Sequence, residues 1–251
     1  DCVGWVFGVG FSAREKVWYH RPTLCSCKKT VRKEAVMETL RAKLNAIRPG
    51  RPLRTAKKVT NTLPVALLGV ALGVLAKLLD LTPGNALPGF FEVLDLRNFF
   101  SRTGVWLFLG AVLALFSASA PRAALNAFVF FLGMVGAYFA YTVFVGGFFP
   151  RAYMFFWLAV TALTPALGFL CFYARGEGAV SILLAAVLLA LLARQAFGFG
   201  FWYFDLNYPL EAVLLVGMAG LLYRSPKQML LALLGGAVLF FVLSPLYLGI
   251  L

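Results

Sequence analysis

Eleven side chains carry most of the chemistry this sequence offers: Lys77, Glu92, Asp95, Arg97, Arg102, Arg151, Tyr153, Arg194, Trp202, Asp205 and Glu211. All are charged or amphipathic-aromatic, and all fall at the ends of long apolar runs or between them. Such groups suit ion pairing, hydrogen bonding and recognition of a small solute or a lipid headgroup. Covalent chemistry finds less support. The sequence contains no H-E-x-x-H, no G-x-S-x-G, no G-x-x-x-x-G-K-[ST] and no paired-glutamate motif within an apolar run. Gly198 and Gly200 in Phe-Gly-Phe-Gly-Phe lack the strand–helix setting of a phosphate loop. The single His is His20, so from Met37 onward the commonest general base and neutral metal ligand is missing. An enzyme built here, acting on lipid, would rely on Glu92, Asp95, Asp205 or Glu211.

No cofactor and no metal site is expected. Cys25, Cys27 and His20 resemble zinc ligands, but Cys-x-Cys is tighter than the usual C-x₂₋₄-C and no second pair follows. Cys171 lies inside an apolar run and reads as a small core residue.

The elements that position these groups follow from composition. Hydrophobic residues make up 61% of the chain and charged residues 13%, with a mean hydropathy of +0.85. A soluble core cannot absorb that much apolar surface, because single cores stop growing with chain length. The predicted fold is therefore all-α: a polytopic transmembrane helix bundle of about seven spans with an outer interfacial helix. The spans fall near 62–79, 103–120, 124–147, 153–174, 178–196, 209–223 and 228–248, the sixth being the shortest. Pro, Gly and charged residues punctuate the gaps, as in Ala120-Pro121-Arg122 and Arg224-Ser225-Pro226-Lys227. No convincing inverted repeat relates the halves.

Residues 37–61 form a basic juxtamembrane segment. Its first part can be helical until Pro49-Gly50 and Pro52 break it. It suits contact with anionic lipid rather than nucleic acid. Residues 1–36 differ in composition, holding three of the four Cys. Lys33-Glu34-Ala35 can be encoded by a strong bacterial ribosome-binding sequence just upstream of Met37. The expectation is that translation starts at Met37, leaving 1–36 an upstream, non-native or disordered segment.

Lys and Arg set the orientation. With the basic tail inside, eleven cations from Met37 onward fall on the inner side and five on the outer. That asymmetry predicts a cytoplasmic N-terminus in a bacterial plasma membrane. Five acidic residues share the outer side with those five cations. Residues 86–102 read as the interfacial helix, with Glu92, Asp95, Asn98 and Arg102 on one face. Lys77 or Arg194 is expected to pair with Glu211 or Asp205. Phe148, Phe149 and Tyr153, together with the aromatics of 197–208, read as belt residues at helix ends. Gly69 and Gly73, Ala162 and Ala166, and Ala186 and Ala190 stand four apart. Each pair suits close helix packing or the docking of a partner subunit. Pro165, beside Thr161 and Thr164, is placed to kink the fourth span.

Three stretches carry a resemblance: Pro88-Gly89-Phe90-Phe91-Glu92-Val93-Leu94-Asp95-Leu96, Asn126-Ala127-Phe128-Val129-Phe130-Phe131, and Phe148-Phe149-Pro150-Arg151-Ala152-Tyr153. Together they resemble a group of uncharacterised multi-spanning membrane proteins of Gram-positive bacteria, over roughly Leu63 to Arg224. The resemblance implies fold and compartment and no activity. The functional expectation is a solute-binding or transport-related protein with an outward-facing polar and aromatic site, bearing on a small solute, the lipid bilayer or a partner membrane subunit. The alternative is a non-catalytic factor that associates with envelope proteins or lipids.

Overall fold

A computed structural model describes the backbone over residues 5–9, 18–22, 24–52, 55–82, 89, 94–200 and 203–247, and the side chains over 34–52, 60–82, 89, 94–199 and 204–242. The chain divides into two compact units, Asp1–Ala46 and Ile47–Leu251. In the first, β1 (Trp5–Val9) and β2 (Trp18–Pro22) pair antiparallel, with Trp5 opposite Pro22. Helix α1 (Leu24–Ile47) follows. It stops just before Pro49, which has no N–H to donate, and Gly50. The side chains of His20, Cys25 and Cys27 lie outside the described residues.

The second unit holds α2 (Thr55–Leu81), α3 (Leu96–Ser101), α4 (Thr103–Leu115), α5 (Ala120–Phe144), α6 (Arg151–Tyr173), α7 (Ala179–Ala196), α8 (Pro209–Leu222) and α9 (Pro226–Tyr247). Each predicted apolar segment is thus a helix. Four stretches are long and apolar enough to cross a membrane: Thr60–Leu81, Ala120–Phe144, Arg151–Tyr173 and Ala179–Ala196. The apolar helices Thr103–Leu115 and Pro209–Leu222 are shorter, and α9 runs 22 residues, of which Pro226–Val242 have described side chains. Among the described residues four spans are thus identified where seven are expected from hydropathy, and α4 and α8 fall short in length. The physical reason is early termination. α4 has 13 residues and α8 has 14. At 1.5 Å per residue each extends only about 20 Å, against a hydrocarbon core of about 30 Å. The sequence 116–119 leaves the helix that hydropathy carries on to 120.

The spans bury little of themselves. Between 22% and 44% of each crossing window is buried inside the fold. Leu67, Phe155, Leu163 and Leu183 are each more than half exposed. An apolar exterior of this extent is stable in lipid and not in water, so the chain suits a membrane.

Helix packing uses the small residues. α2 lies against α5, α5 against α6, and α7 against both α8 and α9, with α4 touching α5, α6 and α8. A Cβ on Gly69 would sit 2.2 Å from the Phe130 carbonyl oxygen, and one on Gly73 would sit 2.2 Å from that of Met134. α2 and α5 therefore meet backbone to backbone. Ala186 likewise abuts Gly235 and Gly236 of α9. Two of the three small-residue faces are thus covered within the chain, and Ala162 and Ala166 stay exposed.

Pro165 lies inside α6. Its missing N–H frees the carbonyl of Thr161, and the Thr164 hydroxyl donates to that carbonyl at 2.7 Å. The helix continues because a neighbouring side chain supplies the donor the proline lacks.

Within the second unit two features differ locally from the expected pattern of helices. β3 (Phe197–Gly200) and β4 (Tyr203–Leu206) form an antiparallel hairpin. Phe-Gly-Phe-Gly alternates with period two, as a strand does. Phe197 stacks on Phe204 with centroids 5.1 Å apart, and Phe199 meets Phe241 at 5.0 Å. The interfacial helix is described only as the six-residue α3; 86–88 and 90–93 lie outside the described residues, and Glu92 with them.

Candidate functional site

The second unit has two chemically different ends. At one end gather the C-terminus of α2, α3, the start of α4, the end of α5 and the start of α6. A cavity of about 190 Å³ opens there. Its walls are mainly aromatic: Phe100, Trp106, Tyr138, Phe139, Tyr153 and Trp157, with Ala76, Met134 and Val135. Asp80 and Ser101 supply polar atoms.

Sequence spacing explains the lining. Ala76 and Asp80 are four apart on α2, Met134 and Tyr138 on α5, and Tyr153 and Trp157 on α6, so each pair shares a face. Edge-to-face contacts tie the rings together. Phe139 meets Tyr153 at 6.1 Å, and Tyr153 meets Trp157 at 6.1 Å. The Trp106 indole N–H donates to the Phe100 carbonyl at 2.9 Å, which fixes α3 against α4.

Beside this cavity sits a buried cation. Lys77 is 4% exposed. Its ammonium donates to Asp80 Oδ2 at 2.7 Å and to the Tyr138 hydroxyl at 3.5 Å. The Tyr138 hydroxyl donates to Asp80 Oδ2 at 3.0 Å. The ammonium also lies 4.8 Å from the Tyr138 ring centre. Lys77 therefore pairs with its i+3 neighbour, and neither Glu211 nor Asp205 is its partner. A charge this deep is stable only when neutralised at close range, and the nearest carboxylate lies one turn away. The Trp157 indole Nε1 is buried and has no hydrogen-bond partner among the described residues.

A second ionic cluster lies on Arg102. Its Nε donates to Glu211 Oε1, and its Nη1 lies 3.5 Å from Asp95 Oδ2. Glu211 is fully buried. The guanidinium stacks 3.8 Å from the Tyr208 ring centre. Asp95 adopts a left-handed backbone, φ 49°, a conformation that Asp tolerates better than most residues. Its other oxygen accepts from Asn98 Nδ2 at 2.7 Å. Asp95, Asn98 and Arg102 thus meet on one face.

Arg97, Arg151 and Asp205 lie apart from both groups. Arg97 and Arg151 are exposed. Asp205 is exposed and accepts from the Leu206 N–H. The Arg194 guanidinium lies 5.2 Å from the Phe240 ring centre. Trp202 and Glu92 lie outside the described residues. Of the eleven, Tyr153 lines the cavity and Lys77 borders it. Asp80, Tyr138, Trp106 and Trp157 do the rest and were not singled out. The i, i+3 and i, i+4 spacings on three apolar helices were the available signal.

The opposite end is held by Arg48. Its two terminal nitrogens donate to the carbonyls of Phe172 at 2.5 Å and Leu115 at 2.7 Å. One side chain thereby caps the C-terminal ends of both α6 and α4, where carbonyls lack partners and the helix dipole is negative. In the sequence Arg48 counts only as one cation of a basic tail.

No protein family, curated protein or solved structure matches this chain.

Proposed function

We propose that this chain is a multi-pass protein of a bacterial plasma membrane that binds a small amphipathic solute in the aromatic cavity. The observation that carries the reading is the aromatic cavity bordered by the Lys77–Asp80 ion pair, with Trp157, whose indole N–H is unpartnered among the described residues, as one of its lining residues. Buried donors are nearly always satisfied, so a solute bearing an acceptor fits the site. Apolar and aromatic walls with few convergent polar groups are the usual make-up of small-molecule sites. Lys77 and Asp80 neutralise each other, which favours a neutral or zwitterionic solute over a strongly charged one.

The proposal includes seven crossings with the N-terminus inside. Its support is that the helices alternate between the arginine end and the cavity end, α4, α8 and α9 included. The short helices then cross where the bilayer thins or the ends dip inward. The eleven-to-five cation asymmetry puts the cavity outside. Kinship with multi-spanning proteins of Gram-positive bacteria belongs to the same proposal. Transport, with or without a partner subunit, would follow binding. Docking of a partner as the main role has less support, because the Gly69/Gly73 and Ala186 faces are spent on internal packing.

Trp106 and Trp157 report on the cavity directly. Titration of the purified protein with a panel of small polar organics, followed by tryptophan emission, is expected to give a saturable change. Trp157→Phe keeps the ring and loses the N–H, so affinity should fall about tenfold, the value of one lost hydrogen bond. An emission change of equal midpoint in Trp157→Phe would count against the site.

A further inference from the structure

The arginine end contains a second and larger cavity, of about 560 Å³. Arg48, Arg51, Arg175 and Arg224 line it, with Phe116 and Phe172 among the apolar residues and no acidic side chain among the described residues of the wall. We infer that this cavity is a binding site for a phosphate group, carried either by an anionic lipid headgroup or by a small soluble phosphate compound. The inference does not depend on solute binding at the opposite end.

The arginines converge from three places in the sequence, and the fold fixes them there. The Arg51 backbone N–H donates to the Ala118 carbonyl at 2.7 Å. Arg48 is anchored to two helix ends and stacks 4.0 Å from the Phe172 ring centre. Arg175 lies 5.0 Å from the centre of the Phe116 ring. Arg224 Nε donates to the Arg175 carbonyl at 3.1 Å, joining the last two. The only charge partners these contacts provide are carbonyl dipoles and ring faces. Four cations around one cavity repel, and at Arg48 burial adds to that repulsion. Burial, then the positive charges of Arg175, Arg224 and Arg51, pull its guanidinium down to about 10.

An anion in the cavity removes that repulsion. Guanidinium groups match phosphate oxygens in pairs, and stacked, pre-placed arginines lose little entropy on binding. The nearby acidic residue, Glu177, lies outside the wall, and its backbone N–H is bonded to the Ile47 carbonyl. The half-apolar wall admits a glycerol or acyl portion as well as the phosphate.

The test uses the full-length protein in zwitterionic detergent, with thermal unfolding read at fixed ionic strength. One arm adds phosphatidylglycerol, with phosphatidylcholine as control. The other adds inorganic phosphate or pyrophosphate, with chloride as control. One anion is expected to raise the unfolding temperature saturably, and the arm that responds identifies the source. Arg51→Gln with Arg175→Gln, which spares the helix-capping Arg48, should weaken that response at least tenfold. Arg97→Gln with Arg151→Gln, which removes equal charge at the other end, should leave it unchanged. Absence of a response in both arms overturns the inference. So does an equal loss in both double variants, which would mean diffuse attraction without a site. If Arg51→Gln with Arg175→Gln fails to fold, native mass spectrometry of the wild type decides. Retained phosphatidylglycerol or phosphate supports the site, and an adduct-free spectrum in both mixtures overturns it.

Discussion

Arg102→Met is expected to destabilise the purified protein by about 3–5 kcal/mol, the cost of leaving a buried ion without its partner. Glu211 is fully buried, and the Arg102 guanidinium is the one cation bonded to it among the described residues. Its second oxygen, Oε2, has no hydrogen-bond partner among the described residues. The pair is therefore incompletely satisfied even when intact. That sharpens the prediction for the double variant. Arg102→Met with Glu211→Met removes both charges and fills the same space with apolar atoms. It should recover most of the loss, since replacing a whole buried pair is often neutral. Denaturant unfolding of the four proteins in mixed micelles gives the cycle. A double variant as unstable as the single would mean that the ion pair itself holds α8 against α4.

The second large effect is expected at the α2–α5 crossing. Gly73→Leu should cost about 3 kcal/mol, near the upper end of what overpacking causes. Backbone carbonyls cannot rotate away as a side chain can, so the added carbons force the helices apart. The cavity should open with them, because Ala76 and Asp80 come from α2 and Met134 and Tyr138 from α5. Gly136→Leu is the matched control. Nothing among the described residues lies within 4 Å of a Cβ placed there, so its effect should stay within about 0.5 kcal/mol. Unfolding measurements on both variants check the contrast, and equal losses would place the crossing elsewhere.

These cases show which features a reader of the sequence can reach. Apolar runs near 20 residues announce helices whatever their neighbours, so the seven helical segments and most of their breaks were legible. Where a run ends was less so. Ser117-Ala118-Ser119 is apolar enough to extend α4 on a hydropathy scale, yet the helix closes at Leu115. Local pairs were accessible: Lys77 and Asp80 are three apart, and Asp95, Asn98 and Arg102 repeat on one face. Glu211 was not, because its partner lies 109 residues earlier and only the approach of α8 to α4 brings them together. Arg48 was hidden for the same reason. Its role depends on the ends of α4 and α6 arriving at one point. The aromatic residues were visible individually. That six of them close around one cavity depends on how four helices and α3 meet.

The proposed topology puts the arginine-rich end and the aromatic, acidic end on opposite sides of a membrane. Single-cysteine accessibility tests this most directly. In a chain with Cys2, Cys25, Cys27 and Cys171 replaced by Ala, Glu177→Cys marks the arginine end and Asp205→Cys the hairpin at the other; both positions are exposed. With a membrane-impermeant maleimide on intact cells, Asp205→Cys should label at once, and Glu177→Cys only after permeabilisation. Labelling of both from the same side would contradict the account.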